Sequence, residues 1–332
     1  MQNCRSRFAI SLGCAVFFGA GIAGGWFLRG AIAKPAEPTI FREPSGKYKF
    51  IDPLIGFNVG EKDDFKEYGD LEKKLRTKID TLKKAVKVHS VSVYFRDMEN
   101  AHWTGVNEGE LYSPASLYKV ALMIAVLKQA DSDSSLLKKE LSYTGSKSPE
   151  KPDYPPMTVG KAYTIEQLLT RLIALSDNDA KAILRDRIGQ EAVSAVFADL
   201  RLSEPALSET GDSMSARLYS RFFRALYNAT YLSRVHSEYA LSLLSQAEFK
   251  SGIVNGLPPE ARTLTVAHKF GYRVIEDPTD TVTEEIHDCG IVYTPTHPYF
   301  VCVMTKGWKQ TDLLDTIQLL SRLVYEETTT TP

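Results

Sequence analysis

Residues 120–127, VALMIAVL, are apolar at every position. A helix built from them has no face to turn to water and must run through the middle of a domain. Its beginning is unlike its body. Ser113, Pro114 and Ser116 mark the start, as a hydroxyl cap and an early proline do. One turn inside, Lys119 heads for the same core, and a buried ammonium is costly unless it is paired or gives up its proton. Ser116 and Lys119 stand at i and i+3 and share a helix face. A serine beside a desolvated lysine is one way a hydroxyl becomes a nucleophile without a histidine. The plainer reading is a capping serine and a lysine that snorkels to solvent. The pattern alone does not choose, because Ser-x-x-Lys recurs at Ser135 to Lys138 and at Ser148 to Lys151. Those two lie in polar stretches with no apolar helix behind them.

A chain of 332 residues has room for a sizeable core around such a helix, in one large domain or two. Its formal charge is −1 and it has no basic run, so nucleic acid is not an expected partner. Four cysteines without zinc spacing, six histidines without ligand spacing and no His-Glu-x-x-His give no reason to expect a metal site. His268 and His287, on or beside strand-like segments, read as structural. From Phe8 to Leu28 the chain carries no charge, with Arg5 and Arg7 before the run and Arg29 after it. That length suits a single-pass N-terminal anchor in the cell membrane better than the core of a cleaved signal, although Ala31-Ile32-Ala33 would serve as a cleavage site. Either way the rest of the chain is expected outside the cytoplasm, where disulfides form.

Residues 1–33 are therefore read as anchor or signal, and the proline-bearing residues 34–63 as a tether whose apolar piece, residues 48–57, docks on the domain. Within residues 70–86, Leu71, Leu75, Ile79, Leu82 and Val86 form one helical stripe. Strand-like segments follow at 91–95 and 101–106. Residues 131–160 are polar and proline-rich, a surface connection. Thr164 opens a helix with Gln167 in the capping-box position, and that helix stops at Leu175-Ser176-Asp177-Asn178. Helices are expected near 179–200, 214–227 and 238–246. A strand over 262–268 and a hairpin of 285–293 with 299–305 come next, then a last helix at 312–325. Cys289 and Cys302 straddle the hairpin turn, which places them opposite each other and within reach of a disulfide if register allows. The order implies an α+β fold: a five-stranded antiparallel sheet flanked by helices, with an all-helical subdomain inserted. The sheet part is residues 64–115 and 262–328, the helical part 116–261, together one catalytic domain over 64–328.

Two more motifs bear on Ser116 and Lys119. Ser176-Asp177-Asn178 occurs once, on a turn between helices, and standing alone it reads equally as a capping turn. The other is a Lys-x-Gly on a strand. With SPASLYK, LSDNDA and HDCGIVY in that order and spacing, the chain resembles the serine penicillin-recognising enzymes, most closely the class A β-lactamases, over about residues 65–324. For the third motif a literal Lys-Ser-Gly stands at Lys250-Ser251-Gly252, but helical sequence precedes it. Lys269-Phe270-Gly271 follows alternating residues, and the chemistry needs a strand to pair with substrate and aim an oxyanion donor, so Lys269 and Gly271 are preferred. The family has a hydroxyl where Phe270 stands.

The resemblance implies a β-lactamase/transpeptidase-like fold that works without metal or cofactor. Ser116 attacks the carbonyl, and Lys119 takes or relays its proton. Ser176 passes a proton to the leaving nitrogen, Asn178 holds Lys119 and the substrate amide, and Lys269 attracts a substrate carboxylate. The backbone N–H groups of Ser116 and Tyr272 form the oxyanion hole. Glu204-Pro205-Ala206-Leu207-Ser208 looks like the segment carrying the deacylating glutamate. Glu204 is thus the expected base, Ser208 its helper, and Glu209 the other carboxylate in reach. The expected function is a membrane-tethered serine hydrolase opening β-lactams. The alternatives are a D,D-peptidase acting on cell-wall stem peptides and a lapsed domain that only binds them.

Overall fold

α2 (Tyr118–Ser132) is the helix that the apolar run demanded. Every side chain from Tyr118 to Leu127 is buried, Lys119 included. Around it pack α3 (Ile165–Ala174), α4 (Asn178–Ile188), α5 (Gln190–Asp199) and α7 (Arg234–Ser245), while α6 (Ala216–Tyr227) bridges α7 and the sheet. The computed structural model describes residues 39–44, 46–58, 68–146, 154–204, 211–276 and 282–329. By its contacts the chain forms two units, Met1–Thr39 with Phe57–Asp63, and Ile40–Gly56 with Asp64–Pro332. The first lies almost wholly outside the described residues, as does the expected anchor from Phe8 to Leu28; the second carries the fold. Among the described residues no helix is long and apolar enough to cross a membrane.

The sheet consists of β1 (Ser90–Asp97), β2 (Trp103–Val106), β3 (Val266–Glu276), β4 (Val282–Val292) and β5 (Tyr299–Gly307), all antiparallel in the order β2-β1-β5-β4-β3. The strand period of two sorts its side chains between two cores. Tyr94, Ala267, Cys289, Ile291, Phe300, Cys302 and Met304 face the helical core around α2. Val91, Val93, Phe95, Ile286, Val301 and Val303 face α1 (Gly69–Lys84) and α8 (Gln310–Thr329), whose Leu313, Ile317, Leu320 and Val324 point inward. Cys289 and Cys302 pair directly across β4 and β5 and are joined by a disulfide. The α+β architecture with a five-stranded antiparallel sheet is the one expected.

Details depart from the sequence reading for local reasons. α1 ends at Lys84, and Val86 is exposed with φ 55° instead of closing the buried stripe, because the chain turns out of the helix to reach β1. The helix expected over 179–200 is two, broken at Gly189 (φ 82°), a backbone angle that glycine tolerates. The connection at 131–160 is not all surface loop: its Glu140–Ser142 pairs with Ala162–Thr164 as a small ribbon. β3 does not stop at His268 but runs to Glu276. The expected capping box is made, with Gln167 N–H donating to Thr164 Oγ1 and Thr164 N–H donating to Gln167 Oε1.

The apolar part of the tether docks as expected. Phe50 and Ile51 are buried. Lys49, Phe50 and Ile51 all donate their backbone N–H groups to the Glu238 carboxylate, at 2.9–3.2 Å. Tyr293 Oη donates to Phe50 O at 2.9 Å, and Asp52 N–H to Tyr227 O at 2.9 Å.

Candidate active site

Ser116 sits in a single 3-10 turn, Ala115–Leu117, that runs straight into α2. The N-cap positions of the turn and of α2 are Pro114 and Leu117, and neither gives a side-chain cap. Ser116 Oγ accepts instead from Lys119 Nζ at 3.1 Å. Lys119 does not snorkel; it is 1 % exposed. Its Nζ also donates to Ser176 O at 2.5 Å, Ser176 Oγ at 3.0 Å and Asn178 Oδ1 at 2.7 Å. Four acceptors gathered around the three N–H groups of one buried ammonium meet the demand that desolvation sets.

The Ser-Asp-Asn turn joins α3 to α4, and the two readings of it hold for different residues. Asp177 is the cap: its Oδ1 accepts from Asp179 N–H at 2.8 Å and Ala180 N–H at 3.2 Å, and its Oδ2 from Arg171 Nε at 2.6 Å. Ser176, at φ 57°, and Asn178 turn toward Lys119.

Lys269 reaches the same hydroxyl from the sheet. Ala267 faces the helical core, so the strand period carries Lys269 and Gly271 to that face. Lys269 Nζ donates to Ser176 Oγ at 2.9 Å and to Phe270 O at 3.0 Å. Burial first, and the Lys119 charge second, hold the Lys269 amine well below the ordinary lysine range, against a smaller pull from Asp288. Phe270 stacks on Phe249 with ring centroids 4.1 Å apart, and Lys269 Nζ lies 4.2 Å from the Phe270 centroid. Lys250, the alternative, is exposed, and Ser251 O accepts from Gln318 of α8. Gly271 is required by space: a Cβ there would stand 2.9 Å from Pro114 O and 3.2 Å from Leu117 Cγ. Edge strand β3 therefore lies flat against the turn that carries Ser116, with the half-exposed Tyr272 next along it.

The Glu204 carboxylate is engaged by Gln190: its Oε1 accepts from Gln190 Nε2, which also donates to Tyr118 Oη at 3.4 Å. Ser208 and Glu209 fall outside the described residues. Among the described residues no cluster of three or more His, Cys, Asp or Glu is placed to hold a metal.

Sequence reasoning missed Phe249, which stacks on the third motif, and the buried Glu285, which with His287, read there only as structural, holds the chain just before Ser116. The available signal was the inward register of Glu285, His287 and Cys289 on β4, where an apolar core should admit no unpaired charge.

A serine, two lysines, a second serine and an asparagine thus meet in one hydrogen-bonded network between a sheet edge and a helical layer. The family model described as the Beta-lactamase enzyme family matches residues 73–328. No curated protein matches. Among solved structures, a class A β-lactamase from Mycobacterium abscessus shares 19 % identity at TM-score 0.66, over 78 % of this chain and 99 % of that one. A β-lactamase from Sphaerobacter thermophilus shares 22 % at TM-score 0.66, over 78 % and 98 %. A mutant of PBP-A, solved as an acyl-enzyme complex with penicillin G, shares 18 % at TM-score 0.64, over 81 % and 99 %. The fold is theirs, and with a family match over residues 73–328 the chain belongs to the β-lactamase enzyme family, as a serine β-lactamase-like hydrolase.

Proposed function

We propose that this is a class A-like enzyme that opens β-lactam amides through an acyl-enzyme on Ser116, held at the cell membrane by the segment from Phe8 to Leu28. The observation that carries the catalytic reading is Lys119 Nζ, which bonds the Ser116 hydroxyl and the Ser176–Asn178 turn at once. Lys119 and Lys269 both donate to Ser176 Oγ. Burial and the Lys119 charge beside it depress the Lys269 amine and favour its neutral form, which leaves a proton vacancy there. The vacancy passes through the Ser176 hydroxyl to Lys119, which then takes the Ser116 proton as Oγ attacks the carbonyl. Ser176 returns a proton to the leaving nitrogen. Asn178 holds Lys119 and the substrate amide. The N–H groups of Ser116 and Tyr272 receive the oxyanion, and Glu204 activates the water that releases the acyl group.

A second reading, a D,D-peptidase acting on cell-wall stem peptides, is favoured by one observation: the Glu204 carboxylate is taken up by Gln190. A mutant of PBP-A has been captured as a penicillin G acyl-enzyme. A fluorescent penicillin separates the readings. Rapid labelling with turnover supports the lactamase and persistent label the peptidase. No label at Ser116 would leave only a binding domain and overturn the proposal. Mass analysis of the mature protein tests the anchor; a chain beginning at Lys34 removes it.

A further inference from the structure

Behind the turn that carries Ser116 lies a buried polar cluster that the chemistry above does not use. Ser113, Glu285 and His287 are fully buried. Ser113 N–H donates to Glu285 Oε2 at 3.3 Å. His287 Nε2 lies 3.0 Å from Ser113 O. Thr305 N–H donates to His287 Nδ1 at 3.3 Å, so Nδ1 must be bare and the ring hydrogen sits on Nε2. His287 is therefore the donor to Ser113 O, and the tautomer follows from the network. Tyr112 packs edge-on against the imidazole at 5.4 Å. Lys306 Nζ lies 3.4 Å from Glu285 Oε1. Burial alone would raise the Glu285 carboxyl, but the His287 ring N–H and the Lys306 charge beside it outweigh burial and hold it below its ordinary value. The ionised carboxylate is thus available to accept from Ser113.

The Ser113 main chain is gripped at both its N–H and its carbonyl by two side chains of β4. The next residue, Pro114, presents the carbonyl oxygen against which Gly271 of β3 lies. Neighbouring strands thus fix consecutive residues, three and two positions before the nucleophile. The Ala115–Leu117 turn has no side-chain cap of its own. Ala115 also carries φ 46°, so the turn needs external support to keep that angle.

We propose that His287, with Glu285 behind it, is a positioning residue for acylation: it sets where Ser116 Oγ stands relative to the β3 edge. This rests on the reading of Ser116 as the acylated serine. The consequence is specific to one atom. Asparagine keeps an acceptor where Nδ1 stands but cannot reach Ser113 O. Glutamine places an amide N–H near the position of Nε2 and keeps that donor.

The test compares the acylation rate constant and the substrate dissociation constant of the full chain with those of His287→Asn and His287→Gln, using a fluorescent penicillin. A reacting atom displaced by about 1 Å costs about 10²-fold in rate. His287→Asn is expected to lose about that much in acylation with an unchanged dissociation constant, and His287→Gln to recover most of it. Equal acylation in all three proteins overturns the proposal. So do two variants that lose rate alike and in step with lost thermal stability, which is the mark of packing alone. If His287→Asn does not fold, a folded His287→Gln that acylates about 10²-fold more slowly overturns it equally. Absence of label on the unaltered protein strikes the parent reading instead, and the positioning role falls with it.

Discussion

Lys269 offers a test in which stability and activity move in opposite directions. Its ammonium would be fully buried, with Lys119 Nζ held to the same Ser176 hydroxyl. Burial and that repulsion depress its pKa, so over a window of pH the native chain leaves Lys269 neutral while the unfolded chain protonates it. In that window the unfolded state binds one proton more, and native stability rises with pH. Each pH unit of the window costs the native state about 1.4 kcal/mol below it. The penalty is complete below the folded pKa and disappears as pH approaches the ordinary lysine value near 10.4.

Methionine in place of Lys269 keeps a long apolar stem and removes the titration. It loses two hydrogen bonds, to Ser176 Oγ and Phe270 O, at about 1 kcal/mol each. Ser176 Oγ keeps Lys119 at 3.0 Å, so no acceptor is stranded there. A window wider than about 1.5 pH units therefore makes Lys269→Met the more stable protein at pH 7. We expect Lys269→Met to melt higher than the unaltered protein at pH 7, together with slowed acylation of Ser116. Thermal unfolding from pH 6 to 10, run beside labelling, measures both. The gain must shrink as pH rises toward 10. A variant that melts lower at pH 7, with a deficit that does not change with pH, would refute the reasoning.

Three other outcomes are expected. Gly271→Ala places a Cβ 2.9 Å from Pro114 O and should push β3 off the Ser116 turn, slowing acylation by about 10²-fold at a stability cost of about 1–3 kcal/mol, checked by labelling and melting. Glu238→Ala strands the N–H groups of Lys49, Phe50 and Ile51; unfolding should show a loss of about 3 kcal/mol, and hydrogen exchange should quicken at those three amides. Glu204→Gln should leave acylation of Ser116 nearly unchanged while the acyl-enzyme accumulates; unchanged deacylation would remove Glu204 as the base and favour the peptidase reading.

The elements that the sequence made legible are those where one physical demand dominates. An all-apolar helix can only be central, and α2 is. Leu313, Ile317, Leu320 and Val324 repeat at helical spacing, and they are the inner face of α8. Cys289 and Cys302 straddle a turn symmetrically, and register pairs them. What stayed hidden had its pattern interrupted by chemistry. Beyond His268 the alternation of β3 is masked by a buried lysine and by a glycine needed for close approach, so the strand looked shorter than it is. Val86 and Gly189 end helices through backbone angles that hydrophobic periodicity does not encode. Glu285 and His287 read as ordinary strand residues because their partner is a main chain far away in sequence, the peptide groups of Ser113.

The two left-handed residues at the site show how its parts depend on one another. Ala115 (φ 46°) precedes Ser116, and Ser176 (φ 57°) precedes the cap of α4. A left-handed angle costs a non-glycine residue about 1–2 kcal/mol. At Ser176 that angle accompanies a carbonyl and a hydroxyl that both accept from one Nζ, at 2.5 and 3.0 Å. Without those acceptors Lys119 would be a buried ammonium with fewer partners, and that alternative costs more than the strain. At Ala115 the angle is held from outside, by the grip of β4 on Ser113 and by the flat approach of β3 at Gly271. Lys119 connects the two strained points, because the same Nζ donates to Ser116 Oγ. Relaxing either backbone would therefore move the nucleophile or the proton relay away from that nitrogen. The strain persists because the hydrogen bonds made to a lysine buried in α2 offset it.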